Sequence, residues 1–147
     1  MDSLYTGLLH THSILRWALL IFIIGALVLS ILGMAQKKPF GKTNGNLTKL
    51  SLIFSHVQLL IGLVLYFISP IVKTALNDMG AAMKNPDLRY WAVEHISVMI
   101  IGIALITIGH IKAKKAASDA AKHKNVVIFF SIGLILILSR IPWDRAF

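Results

Sequence analysis

LLHTHSILRWALLIFIIGALVLSILG, residues 8–33, is an apolar run long enough to cross a lipid bilayer. A helix rises 1.5 Å per residue, so ~20 residues span a hydrocarbon core ~30 Å thick. Three further apolar runs follow at 47–69, 88–111 and 126–141. Because lipid offers no partners to backbone N–H and C=O groups, all four runs must be helical. The sequence therefore predicts an all-α integral membrane protein, an up-down bundle of four helices.

The residues at the ends of these runs set the expected helix limits at about 4–33, 47–69, 86–111 and 122–141, within a single domain, 1–147. Asn85 and Pro86 are typical of an N-cap and a first helical residue. The long loop at 71–84 is compatible with a short surface helix over 74–83. Residues 33–35 loosely resemble a signal-peptide cleavage site. We expect the first run to remain in place, however, because it is too long and lacks an early Lys or Arg.

The composition supports a membrane location and argues against nucleic-acid binding. The chain is 56% hydrophobic and 14% charged, whereas soluble domains carry roughly 25% charged residues. The net charge of +9 would suggest a nucleic-acid partner in a soluble protein. Here most basic residues lie in short loops, where they predict topology and contacts with lipid headgroups. The absence of cysteine excludes disulfides, thiolate metal sites and covalent haem attachment.

Lys and Arg are distributed unequally between the two sides of the predicted bundle. One side carries nine: Lys37, Lys38, Lys42, Lys49, Lys112, Lys114, Lys115, Lys122 and Lys124. The other side carries five, diluted by four aspartates: Lys73, Lys84, Arg89, Arg140 and Arg145. The positive-inside rule then predicts that both termini lie on the outer, periplasmic side.

Several ionisable residues fall at membrane depth, where each is costly and therefore a candidate for function. His12 and His95 both lie ~12 Å below the outer end, with Arg16 at ~18 Å and His56 at ~20 Å. His12 and Arg16 share one helix face because they are four residues apart. His10 points elsewhere, so we take His12 as internal and His10 as interfacial. Two polar or glycine-containing stripes accompany them: Trp91, His95, Met99, Gly102, Ile106 and Gly109, and Ser55, Gln58, Gly62, Tyr66 and Ser69.

Three interpretations fit these histidines. The first is b-type haem, held by imidazoles from facing helices without cysteine. The first and third helices of such a bundle are diagonally opposite, so His12 and His95 would ligate one haem, with His56 and His95 as the other pairing. The second is a metal-ion or proton pathway. The third is interhelical hydrogen bonding, worth only ~1 kcal/mol each. Under the haem interpretation, further residues are expected at the pocket as propionate partners or lining groups: Arg16, Arg89, Arg140 and Trp91.

Two more histidines, His110 and His123, lie among lysines near the ends of the third and fourth helices on the lysine-rich side of the bundle. They would be positioned for a second haem. We expect them instead to be solvated interfacial groups.

Four stretches resemble a group of short bacterial membrane proteins labelled cytochrome b-like. They are HTHSILRW (10–17), SHVQLLIGLVLYFISP (55–70), VEH (93–95) and IPW (141–143). The chain is similar more loosely to other four-helix haem modules, among them cytochrome b-type quinol and ferric reductases and haem A synthase halves. The resemblance implies a haem b electron carrier of the plasma (inner) membrane, with His12, His56 and His95 as candidate ligands. The fourth helix lacks the paired histidine of two-haem cytochromes b, which argues against a second haem.

The expected function is thus haem-dependent electron transfer between the quinone pool and a partner at the outer face, as a free protein or as an accessory subunit of a larger respiratory complex. Two alternatives remain open. One is a non-catalytic membrane subunit whose buried polar residues specify packing. The other is a small metal or proton transporter that uses His56, His95, Arg16 and Glu94. No nucleophile motif or phosphate-binding loop indicates an enzymatic reaction.

Overall fold

The computed structural model describes residues 2–143, which are almost entirely helical. Asp144 and Arg145, which enter the charge comparison, lie outside the described residues. The elements in chain order are α1 (Asp2–Gln36), α2 (Lys42–Ile68), α3 (Pro70–Asn77), α4 (Met79–Ala82), α5 (Pro86–Arg89), a π-helical turn (Tyr90–Glu94), α6 (His95–Lys115) and α7 (Asp119–Ser139).

Four helical segments are long and apolar enough to cross a membrane: Ser3–Gln36, Lys42–Ile68, Pro86–Lys115 and Asp119–Ser139. The protein is therefore a multi-pass membrane protein with four candidate spans. Most of these segments extend beyond the predicted limits because polar turns and caps continue each helix past its apolar run. The Asn85 side chain accepts hydrogen bonds from Asp87 N and Leu88 N, with Pro86 in the first helical position, as predicted.

The four long helices pack in the cyclic order α1–α2–α6–α7. Near the start of α1, His12 contacts Gln58 and Gly62 in the second half of α2, and His95 at the start of α6 contacts Arg140 at the end of α7. Neighbouring helices are therefore antiparallel. The buried core is formed by side chains from α1, α6 and α7 that include Ile23, Ile106 and Phe130. Because α1 and α6 each pack on α2 and α7, they lie diagonally across the bundle from each other.

Glycines bring α6 and α7 into close contact. A Cβ added to Gly133 would lie 3.1 Å from the carbonyl oxygen of Gly102, and a Cβ on Gly102 would lie 3.3 Å from that of Gly133. Gly109 allows a similar approach by Phe129 and Phe130. Small residues permit this kind of backbone-to-backbone packing between membrane helices.

The predicted surface helix over 74–83 exists as two pieces, α3 and α4. Asp78 separates them and caps α4 through a hydrogen bond from Ala81 N. Ala75 and Ala82 are fully buried and form a small cluster with Ala92 of the π-helical turn. The segment therefore covers the end of the bundle at which α6 begins.

His123 departs from the expectation of a solvated histidine. It is only 1% exposed. Its Nδ1 lies 3.3 Å from Ser30 Oγ, and its Nε2 lies 3.0 Å from the carbonyl oxygen of Lys38. A Cβ on Gly33 would clash with the imidazole, so the absence of a side chain there makes room for the ring. The prediction of solvation was wrong, because the glycine and the loop after α1 enclose the ring and engage both nitrogens.

We expect His123→Ala to lower the free energy of unfolding by roughly 2–3 kcal/mol, since the change removes packed volume and two hydrogen bonds. Thermal unfolding in detergent measures the effect. His56→Ala is the matched control because His56 is exposed and hydrogen-bonds only Thr107 in the described chain. Equal stabilities of the two variants would contradict an anchoring role for His123.

Candidate functional site

A cavity of about 530 Å³ lies in the half of the bundle where α1 and α6 begin. Ligand-binding pockets typically measure 300–1,000 Å³ and combine apolar walls with a few polar groups. Most walls here are aliphatic, from all four long helices. The polar and aromatic groups that border the cavity are Tyr5, Thr6, His10, His12, Ser13, Arg16, Gln58, Tyr66, Ser69, Trp91 and His95.

His95 is held by the end of α7. Its Nδ1 lies 2.7 Å from the carbonyl oxygen of Arg140. A carbonyl only accepts hydrogen bonds, so Nδ1 must carry the proton and donate it. The other ring nitrogen, Nε2, is then left with a lone pair. The ring also stands 5.7 Å from that of Trp91 and 5.8 Å from that of Tyr90, centroid to centroid.

The π-helical turn positions this histidine. His95 N–H bonds to the carbonyl oxygen of Tyr90, five residues back. Such turns are rare and frequently occur at functional sites. Tyr90 Oη also donates to the carbonyl oxygen of Arg140. The Arg140 carbonyl oxygen therefore accepts hydrogen bonds from both Tyr90 and His95. It is free of the helical hydrogen-bond ladder because α7 ends at Ser139.

His12 lies on the α1 side of the cavity, diagonally across from α6. Gln58 Nε2 donates to the His12 carbonyl oxygen at 2.9 Å. The imidazole fits against Gly62, where an added Cβ would lie 3.4 Å from His12 Cε1. His12 Nδ1 and Gln58 Oε1 are buried and have no hydrogen-bond partner among residues 2–143. The cavity wall thus contains polar atoms whose bonding capacity is unused within the described chain.

Arg16 adds a cation to the same wall. The residue is 9% exposed, and its guanidinium lies 5.1 Å from the centre of the Trp17 ring. It is near enough to His12 and His95 for their charges to interact. The cavity wall therefore combines the imidazoles of His12 and His95 with one guanidinium, among lining groups that are mostly apolar.

The structure brings together four of the predicted site residues: His12, Arg16, Trp91 and His95. It does not bring His56 to the cavity. His56 is exposed, and its Nε2 lies 3.0 Å from Thr107 Oγ1 on the neighbouring helix, so the pairing of His56 with His95 is not formed here.

Arg140 contributes its backbone rather than its side chain. The guanidinium Nε lies 3.8 Å from Glu94, which also pairs with Arg89 at 2.7 Å. Glu94 therefore joins the two arginines near the bundle end, and neither arginine side chain borders the cavity. The sequence contained no indication of the carbonyl at Arg140, because any residue has one. His10, expected at the interface, is exposed and borders the cavity as well.

Comparison of the chain with protein-family models, curated proteins and solved structures returned no match. The cavity itself is therefore the strongest indication of function. Across residues 2–143 there is no cluster of three or more His, Asp or Glu side chains arranged to hold a metal ion. Two histidines on opposite sides of a pocket are compatible with a metal that brings most of its own ligands.

Proposed function

We propose that this protein binds one b-type haem in the cavity, where His95 and His12 would hold its iron, and that it transfers electrons in the membrane. The observation that carries the proposal is the hydrogen bond from His95 Nδ1 to the carbonyl of Arg140. Metal-ligating histidines almost always donate the second ring N–H in this way, which leaves Nε2 free to bind.

The donor set suits haem better than a bare ion. A porphyrin supplies four nitrogens to its iron, so the protein needs to add only one or two axial ligands. Helix bundles often build cofactor sites from side chains on facing helices. His12 and His95 lie on diagonal helices, and the cavity between them is largely apolar. Bound haem would supply one-electron transfer chemistry.

The remaining residues of the cavity have complementary roles. Arg16 would pair with a propionate, since guanidinium and carboxylate form strong charge-assisted bonds. The Arg140 carbonyl orients His95 and would make its imidazole a more basic ligand for a bound iron. Aliphatic side chains from α1, α2 and α6 would surround a bound haem with a medium of low dielectric constant. Gly62 provides room for the His12 ring on the α2 side.

We further propose an up-down orientation in the plasma membrane with both termini outside, on the basis of the nine lysines at the opposite end. The cavity would then lie in the outer half of the membrane. Electron exchange with quinone, and with a partner protein at the outer face or in a larger complex, would follow from that position.

A reduced-minus-oxidised absorption spectrum of the purified protein in mild detergent tests the proposal. We expect a sharp b-type band and about one iron per chain, the stoichiometry of a single pair of axial imidazoles. Absence of the band in protein made by haem-replete cells would contradict haem binding. That result would favour the non-catalytic packing subunit. Metal analysis of the same sample would detect bound copper or zinc instead.

A further inference from the structure

A second concavity, here termed the basic groove, lies at the opposite end of the bundle from the cavity. It measures about 500 Å³ and lies between the start of α2, the end of α6 and the start of α7. His110, which borders it, is about 22 Å along α6 from His95. The groove is therefore separate from the cavity of the proposed haem site.

The groove collects positive charge. Four lysines border it together with His110: Lys42, Lys49, Lys114 and Lys122. Lys49 and Lys114 are near enough to His110 for their charges to interact. Lys122 is held in place because its Nζ donates to the carbonyl oxygens of Ala113, at 2.9 Å, and Lys114, at 3.1 Å. The ion pairs formed within residues 2–143 both use Glu94, at the other end of the molecule.

The N-terminus of α2 adds to this charge. Helix α2 begins at Lys42 with no acidic residue in its first turn. The N-terminus of a helix favours an anion, and a lysine there is unfavourable without one. The groove thus concentrates cations that neighbouring acidic side chains do not neutralise.

The wall of the groove is apolar on the membrane side. Leu52 and Ile53 border it there, and Ile53 is 43% exposed on the surface of α2. A ligand that fits both the lysine-lined region and the apolar wall has a negatively charged group at one end and hydrocarbon at the other. Basic pockets between membrane helices are typical binding sites for anionic phospholipid headgroups.

We propose that the basic groove is a binding site for one anionic phospholipid, whose phosphate lies among Lys49, Lys114 and His110 and whose acyl chains run along α2. The positive charge of the groove favours an anionic phospholipid over a zwitterionic one. The hydrocarbon contact selects it over free phosphate.

Gly45 makes a charge-neutral test possible. It borders the groove, and a Cβ added there would meet no atom within 4 Å. Gly45→Trp should therefore fold normally while filling the groove. Lys49→Gln/Lys114→Gln removes two exposed charges from it. Lys115→Gln/Lys124→Gln is the matched control, since these lysines are exposed at the same end but do not border the groove.

The experiment titrates phosphatidylglycerol, phosphatidylcholine or inorganic phosphate into the purified protein and counts bound lipid by native mass spectrometry. We expect the wild-type chain and the control to retain one phosphatidylglycerol. The groove double variant should bind it about 25-fold more weakly, about five-fold per lysine. Gly45→Trp should lose the bound lipid at unchanged net charge.

Equal binding of phosphatidylcholine would overturn the proposal, as would equal weakening in the control variant or full binding by Gly45→Trp. Occupancy by inorganic phosphate without lipid would overturn it too. The reduced-minus-oxidised spectrum of each variant should match that of the wild type. The outcome is therefore distinguishable from failure of the proposed haem site.

Discussion

His95→Ala is expected to yield a folded protein that has lost its b-type absorption band. The variant removes an imidazole whose orientation is fixed by a backbone carbonyl and by two aromatic neighbours. Loss of the group that hydrogen-bonds a metal-ligating histidine typically lowers metal affinity 10–100-fold by itself. Loss of the ligand itself should therefore reduce haem occupancy to below about a tenth of the wild-type value. The iron-to-protein ratio and the difference spectrum measure it.

His12→Ala should also abolish or shift the band, because it leaves the iron with a single protein ligand. His56→Ala is the matched control: it deletes an imidazole that lies outside the cavity. A band that is lost in His56→Ala and kept in His12→Ala would establish the His56–His95 pairing instead. Thermal unfolding of each variant separates loss of ligand from loss of fold.

The second large effect is expected at the contact between α6 and α7. In Gly133→Leu, the new Cβ would lie 3.1 Å from the Gly102 carbonyl oxygen and 3.0 Å from Ile106 Cδ1. Because a backbone carbonyl cannot rotate away as a side chain can, the two helices must separate. Overpacking of this kind typically costs 1–3 kcal/mol, and we expect about 3 kcal/mol or more here.

The measurement is the melting temperature and the monodispersity of the variant in detergent. Gly7→Leu provides the control, because a Cβ at Gly7 meets nothing within 4 Å. A Gly133→Leu protein as stable as Gly7→Leu would show that the helices are not held as closely as this packing indicates. Separation of α6 from α7 should also weaken the band, since the α7 terminus orients His95.

The sequence by itself determined the four membrane helices and much of their facing. Apolar runs of this length have no stable alternative in lipid, since every backbone polar group must be satisfied within the segment. Spacing of three and four residues placed Trp91, His95 and Met99 on one stripe, and all three border the cavity. The same reasoning put Gln58, Gly62 and Tyr66 on a second stripe that also borders it.

Periodicity also separates His56 from the second stripe. His56 precedes Gln58 by two residues, about 200° around the helix axis, so it lies on the exposed surface while Gln58 borders the cavity. Depth alone could not separate the two histidine pairings, because helices of similar length place many residues at similar depth. Only the cyclic order of the helices, with α1 diagonal to α6, put His12 and His95 in one cavity.

Tertiary structure alone decided the remaining features, because they depend on backbone groups and on close approach between distant segments. The π-helical turn and the end of α7 together direct His95 onto the Arg140 carbonyl, a group that no residue pattern reveals. Gly33 and the loop after α1 enclose His123, which its lysine-rich neighbourhood suggested would be solvated. The four crossing helices follow from the chemistry of lipid and backbone, whereas the site follows from how those helices meet.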